Sequence, residues 1–413
     1  MKPPSLILAV FFLVGSWYYA LSISSTGGVA FKSGQPNDFF QLWSASRAIL
    51  HRIDPYGPEV TKDNQIAVYG TTAAFAGGKD DRRLEYPIIA AFPILPLGLF
   101  GFRIADTIAV LIMAALIFLC VGWLRGVWTP TTILYVLFTF SSYPVIVGLQ
   151  MRQPTLLFLA IAIASFALAR SGYLTSAGFM AVLACGKPHV AFPILLPLLI
   201  WALADWPVRK RFVSSFTISA LALFTLGNLL VPGWFREWLS FLHGYSQFAP
   251  PSVLVHLLGP RIGIIASLIL TVGLTVSLWI NRRSDLGLQV AFSTTVFCLI
   301  IQGQLYNMAL LLVSAIWVAD HAADLERSGV VSQVGLTVTR IAFLVFWTST
   351  AIGGVLMHLN SPSRSIAWSV AVTMISPVLL ALLGIMLAQI FCAGDFNEVE
   401  SQMELYSASR RRK

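Results

Sequence analysis

The chain has 413 residues, of which 57% are hydrophobic and only 11% charged, and its mean hydropathy is +0.78. A soluble protein of this size cannot bury that much apolar surface, so composition excludes a soluble globular fold and points to a polytopic membrane protein. The net charge of +9 comes largely from clusters such as "VRKR" (208–211), "NRR" (281–283) and "SRRRK" (409–413). These lie between or after apolar runs, where positive charge holds loops in the cytoplasm, and this argues against nucleic acid as a partner. The terminal cluster is also placed to meet anionic headgroups of membrane lipids.

In chain order, "MKPPSLILAVFFLVGSWYYALS" has the charged start and apolar stretch of a secretory signal. The run is long enough to span, its cleavage signal is weak, and it reads as an uncleaved first helix. Next, "NDFFQLWSASRAILHR" (37–52) predicts a helix with Phe39, Leu42, Trp43, Ile49 and Leu50 on one side. Gln41, Ser44, Arg47 and His51 fall on another, so the helix suits the membrane interface. Asn37 or Asp38 is expected to cap it. Asp38 has a second reading, as a base held at the membrane surface.

The stretch "YPIIAAFPILPLGLF" (86–100) is apolar but short and carries three prolines, which remove backbone donors and disfavour helix. Further spans are predicted at 104–123, 131–149, 154–169, 173–186, 188–204, 212–231, 262–280, 286–301, 305–319, 335–357 and 366–392. Whether 86–100 crosses decides the side of every later loop. If it crosses, all three basic clusters fall outside. If it lies in the outer interface or re-enters, they fall inside, as do Arg125, Arg170 and Arg327. The second choice gives about twelve spans with both termini cytoplasmic. Residues 1–393 then form a single transmembrane domain with an outer loop at 24–103, and 394–413 a cytoplasmic basic tail.

The outer face of this topology collects the polar breaks: the first loop with Asp38, "GLQMRQP" (148–154), "CGKPHV" (185–190), the 232–261 loop, "QGQLYN" (302–307) and "MHLNSPSR" (357–364). Such breaks in apolar sequence are costly unless they line a cavity or face water. Their convergence on one side suggests a catalytic face. Cys120, Cys185, Cys298 and Cys392 fall within or at the ends of apolar runs, without metal-ligand spacing, and read as packing residues. No metal site is expected, and "KDDRR" (79–83) reads as a solvated loop.

Four segments in order carry a resemblance. "PNDFFQLWSASRAILHRIDPYG", "EYPIIAAFPILPLGL", "VGLQMRQPTLLFLA" and "MAVLACGKPHVAFPILLPLL" resemble the first-loop signature, Tyr-Pro-Pro stretch, Gly-Gln-x-Asn-x-Leu-Leu segment and Lys-Pro helix break of glycosyltransferase family 87. The resemblance covers roughly residues 5–320. It implies an all-α GT-C-type fold whose first outer loop carries interfacial helices and an acid, here Asp38, acting as general base. It also implies an inverting hexosyltransferase that takes a sugar, mannose in the family, from a polyprenyl-phosphate donor on the non-cytoplasmic side of a bacterial cytoplasmic membrane. The acceptor class is a glycolipid or glycan, and no cofactor is required. The chain departs from the pattern at Gln150 and Arg152–Gln153, at "QLYN" (304–307) where a histidine pair is common, and at Ile88 after Pro87.

For such chemistry a carboxylate accepts the acceptor's hydroxyl proton, and the leaving phosphate needs cations or donors aimed at it. Lys187, Arg152 and His189 are the candidate phosphate ligands. Lys187 reads equally as a lysine whose stem covers apolar surface, and His189 as a structural histidine. Gln150, Tyr86, Gln304, Tyr306 and Asn307 are candidates for sugar or acceptor contacts, their ordinary alternative being helix-end satisfaction. Tyr56, Trp234, Trp238 and Tyr245, like Tyr86, suit either sugar stacking or an aromatic belt. Two other functions stay open: a transporter or flippase of lipid-linked saccharides, and an inactive envelope scaffold. The chain lacks a clear internal repeat and, apart from Asp106 near one end, charges within its spans, both of which transporters tend to have.

Overall fold

The computed structural model describes residues 3–25, 36–72, 82–245, 252–301, 304–329, 331, 333–341, 344, 352, 355 and 380–392. The expectations for Gln302, for the 357–364 loop, for most of the last two spans and for the basic tail lie outside these residues. The described chain is helical throughout. The helices are α1 (Pro3–Ser25), α2 (Phe40–Leu50), α3 (Pro58–Tyr69), a 3-10 helix (Ile88–Leu99), α4 (Phe102–Arg125), α5 (Pro130–Ser141), α6 (Tyr143–Gln150) and α7 (Pro154–Arg170). They continue as α8 (Leu174–Ala184), α9 (Pro188–Ala204), α10 (Trp206–Leu230), α11 (Trp234–Tyr245), α12 (Val253–Leu258), α13 (Pro260–Ile280), α14 (Leu286–Ile300), a second 3-10 helix (Leu305–Leu310) and α15 (Leu311–Ser328).

Proline sets most of the starts. Pro130, Pro154, Pro188 and Pro260 each open a helix, where the missing N–H costs nothing and the fixed φ suits the first turn. Among the described residues, four helices are long and apolar enough to cross a membrane: α4, α10, α13 and the run Tyr306–Arg327. A fifth is counted if α5 and α6, bent by 62° at Ser142, form one span. α7 and α9 have 17 residues each. At 1.5 Å per residue they reach about 26 Å, just short of a typical hydrocarbon core. Most of α7 and part of α9 are covered by protein. Phe158, Leu159 and Ala160 of α7 are fully buried, as are most side chains on every face of α14 from Leu286 to Cys298. A helix apolar all round belongs inside. α10 and α13 form the rim, with Ile218, Leu221, Leu229, Ile264 and Leu268 exposed. α8 meets α10 closely: a Cβ on Gly178 would stand 2.5 Å from the Phe212 carbonyl oxygen.

The segment 86–100 forms a proline-broken 3-10 helix, too short and irregular to count among the crossing helices, with Pro93 and Pro96 inside it. It packs on α2, where Gly98 allows approach to the backbone of Arg47: a Cβ there would lie 3.0 Å from the Arg47 nitrogen. A second core gathers Leu42, Ala45, Ile49, Tyr56, Ile88 and Trp234. Tyr56 Oη donates to the Tyr86 carbonyl at 2.7 Å and Trp238 Nε1 to the Glu85 carbonyl at 3.1 Å, fixing the approach to the 3-10 helix.

Two expectations for the first loop are corrected. The residue in the N-cap position of α2 is Phe39, whose own side chain makes no cap bond. Instead Asn37 Oδ1 accepts from the Phe39 N–H at 3.0 Å and the Asn37 carbonyl from Phe40 N–H at 3.0 Å, closing a turn before the helix begins. Asp38 Oδ2 reaches across to Gln153 Nε2. The apolar stripe is also shifted. Phe39, Leu42 and Ile49 are buried, but Leu50 is exposed and Gln41, assigned to the polar side, is buried.

Candidate active site

Three chain breaks meet. One is the turn 151–153 between α6 and α7, where Arg152 takes a left-handed φ of 50°. The second is 185–187 between α8 and α9, and the third is marked by the 3-10 helix Leu305–Leu310, which meets the others through Tyr306 and Asn307. A turn of the first loop carries Asp38 to the same place, its N–H donating to the Met151 carbonyl at 3.3 Å.

The centre is Gln153. Its Nε2 donates to Asp38 Oδ2 at 2.8 Å, and its Oε1 accepts from Lys187 Nζ at 2.7 Å. Tyr86 Oη reaches the same oxygen at 3.5 Å. Gln153 and Lys187 are both buried, while Asp38 keeps partial exposure. The Lys187 ammonium also lies over two aromatic rings, 5.5 Å from the centre of Tyr86 and 5.3 Å from that of Tyr306, an arrangement that favours the charged form. Burial opposes this and is the largest influence, while Glu85 and then Asp38 pull the other way; the pKa of Lys187 is lowered to about 8.

Tyr306 Oη is hydrogen-bonded to Gln304 Oε1. Asn307, fully buried, takes the Thr155 hydroxyl at 3.1 Å, which ties the second 3-10 helix to the first turn of α7. His189 lies in the first turn of α9, and its Nε2 is buried without a hydrogen-bond partner among the described residues. Gln150 offers its carbonyl to Arg152 at 2.8 Å, and its side chain is half-buried.

Arg152 faces away from this group. Its Nε lies 3.4 Å from Oδ1 of the fully buried Asp106 of α4, and Asn37 Nδ2 donates to the same oxygen at 2.7 Å. One carboxylate thus holds the residue before Asp38 and the residue before Gln153.

The arrangement therefore brings together Asp38, Lys187, Tyr86 and Tyr306, sets Gln304, Asn307 and His189 around them, and commits Arg152 to Asp106. Sequence reasoning passed over Gln153 and Asp106. A signal for Gln153 was present: it precedes Pro154, which holds it extended at φ −72° and ψ 120°, at the end of a polar break. Chemically, the site offers a part-exposed carboxylate beside a buried cation, the pair needed to take up a proton and to receive an anion.

Comparison with known proteins matches a family description to the chain: Glycosyltransferase family 87, over residues 84–313, more than half of its length. Tyr86, Gln153, Lys187 and Tyr306 lie within the match, and Asp38 precedes it. No curated protein and no solved structure matches the chain.

Proposed function

The chain belongs to glycosyltransferase family 87 and is a membrane glycosyltransferase, and from that premise we propose a specific reaction for it. A hexose, mannose in the first instance, moves from a polyprenyl-phosphate donor to a lipid- or glycan-linked acceptor on the outer face of the membrane. The observation that carries this reading is the pairing of Asp38 and Lys187 at the two ends of one amide.

Asp38 accepts the proton of the acceptor hydroxyl as that oxygen attacks the anomeric carbon. The bond from the anomeric carbon to the phosphate oxygen breaks, and its electron pair leaves with the phosphate. A single displacement of this kind inverts the anomeric centre. The charge gathering on the leaving phosphate falls to Lys187, and His189 Nε2, without a partner among the described residues, offers a second contact to phosphate or sugar. Tyr86 and Tyr306 present ring faces beside the cation, suited to a sugar, with Gln304 and Gln150 at the edge of the site. Within this reading the helices form about twelve spans, α2 and the 3-10 helix Ile88–Leu99 lie in the outer interface, and the active site opens away from the cytoplasm.

The test is donor choice. Purified protein in liposomes is given a radiolabelled hexosyl polyprenyl phosphate or the corresponding nucleotide sugars, with a lipid-linked acceptor. Transfer is expected from the polyprenyl phosphate alone. Efficient turnover of a nucleotide sugar, indifferent to Lys187→Met, would overturn the donor assignment.

A further inference from the structure

Gln153 touches both charged groups of the site. Its orientation is dictated by chemistry: an ammonium can only donate and an ionised carboxylate can only accept. Only one placement of the amide, oxygen toward Lys187 and nitrogen toward Asp38, satisfies both. The two bonds, 2.7 Å and 2.8 Å, have the lengths of charge-assisted hydrogen bonds.

The amide is itself held. Gln153 is 3% exposed, its N–H donates to the Gly148 carbonyl at 2.8 Å, and it sits between the left-handed Arg152 and the proline that opens α7. Asp106 secures the flanking residues Asn37 and Arg152 from behind. The first-loop turn and the 151–153 turn thus refer to one buried carboxylate on α4, and Asp38 and Lys187 to one amide.

We propose that Gln153 is a positioning residue for the transfer: its amide sets the Asp38 carboxylate and the Lys187 ammonium in one relative geometry and couples their charge states. This rests on the roles of Asp38 and Lys187 given above. Among the described residues, the charged or titratable groups around the pair include Glu85 and Tyr86 ahead of the first 3-10 helix, Tyr306 in the second, His189 in α9, and Arg152 with Asp106 behind. All are unchanged in the variants below.

The coupling has a signature in the pH dependence of kcat/KM, which reports the groups of the free enzyme. Gln153→Leu removes the donor that favours ionised Asp38, so the acidic limb moves to higher pH. It also removes the acceptor that favours charged Lys187, so the alkaline limb moves to lower pH. The bell narrows from both sides, each limb by about half a unit or more, and its maximum falls at least ~10-fold. Gln153→Glu, nearly isosteric, sets a carboxylate against both groups. It stabilises the ammonium and opposes ionisation of Asp38, so both limbs move to higher pH together.

A residue that merely fills space would change the height of the profile and leave both limbs at their wild-type pH; that result for both variants overturns the proposal. If Gln153→Leu is not recovered folded from membranes, the direction of the Gln153→Glu limbs decides alone. Asp38→Asn is run in parallel. Wild-type turnover by Asp38→Asn would overturn the functional reading itself. An inactive Asp38→Asn with unmoved limbs in the Gln153 variants would overturn only the role of Gln153.

Discussion

Lys187 is 4% exposed, and desolvation lowers its pKa to about 8 in spite of Glu85 and Asp38. The sign follows directly: the ammonium is present below that pH and is lost as pH rises through it. With a cation needed for the leaving phosphate, kcat/KM is expected to decline above pH about 8, and a bound phosphate to carry the limb in kcat to higher pH. Lys187→Met should flatten the alkaline limb and lower kcat/KM by a factor equivalent to about 2–4 kcal/mol, the scale of one lost transition-state donor. A pH–rate series on both proteins checks this. Behind the site, Asp106 is fully buried between Asn37 and Arg152. Asp106→Ala strands both partners and is expected to cost about 3 kcal/mol of stability, measured as a fall in the thermal midpoint in detergent. The sequence singled out Asp38 and Lys187 through the family resemblance of the first loop and the Lys-Pro helix break, and the structure brings the two side chains to one amide. Gln153 was not singled out, because an amide carries no charge to draw notice and its importance arises only where two distant breaks meet across it.

At the scale of elements, the site depends on how closely the breaks pack. Gly186 shows this: a Cβ there would stand 2.4 Å from Cε1 of Phe158 and 2.9 Å from Cα of Ala90 in the 3-10 helix. The Phe158 ring is fully buried, and the Ala90 contact is backbone, so neither yields cheaply. Gly186→Ala is expected to push the α8–α9 break away from the 3-10 helix, with Lys187 carried along. Activity should fall at least ~10-fold and stability by about 1–3 kcal/mol, read from turnover and thermal melting of the same preparation. The breaks themselves were legible, since Pro154 and Pro188 mark helix starts in plain sequence. The start of α2 was misread for a local reason. Asn37 spends its side-chain oxygen on the N–H of Phe39, the residue just before the helix, and Asp38 Oδ2 accepts from Gln153. Propensity favoured a cap; a partner 115 positions away took the carboxylate.

At the scale of the molecule, composition announced a membrane protein, and the apolar runs reappear as helices from α1 to α15. Length separates them less cleanly, because inner helices such as α14, of 15 residues, are shielded by neighbours and need not match the bilayer on their own. Topology is therefore tested directly. In a chain carrying Cys392→Ser, to remove the exposed native thiol, a single cysteine at the exposed Asp63 should react with an impermeant reagent on intact cells. One at Ser284, between α13 and α14, should react only after permeabilisation. The reverse pattern would move Asp38 to the cytoplasm. The central claim, that Asp38 is the general base of a sugar transfer, is tested most directly by the turnover of Asp38→Asn with hexosyl polyprenyl phosphate, at matched amounts of folded protein. Asparagine keeps the size and can still meet Gln153, but it cannot take up the acceptor's proton. Turnover is expected to fall at least ~10²-fold with the thermal midpoint little changed; turnover near that of the wild type would contradict the claim.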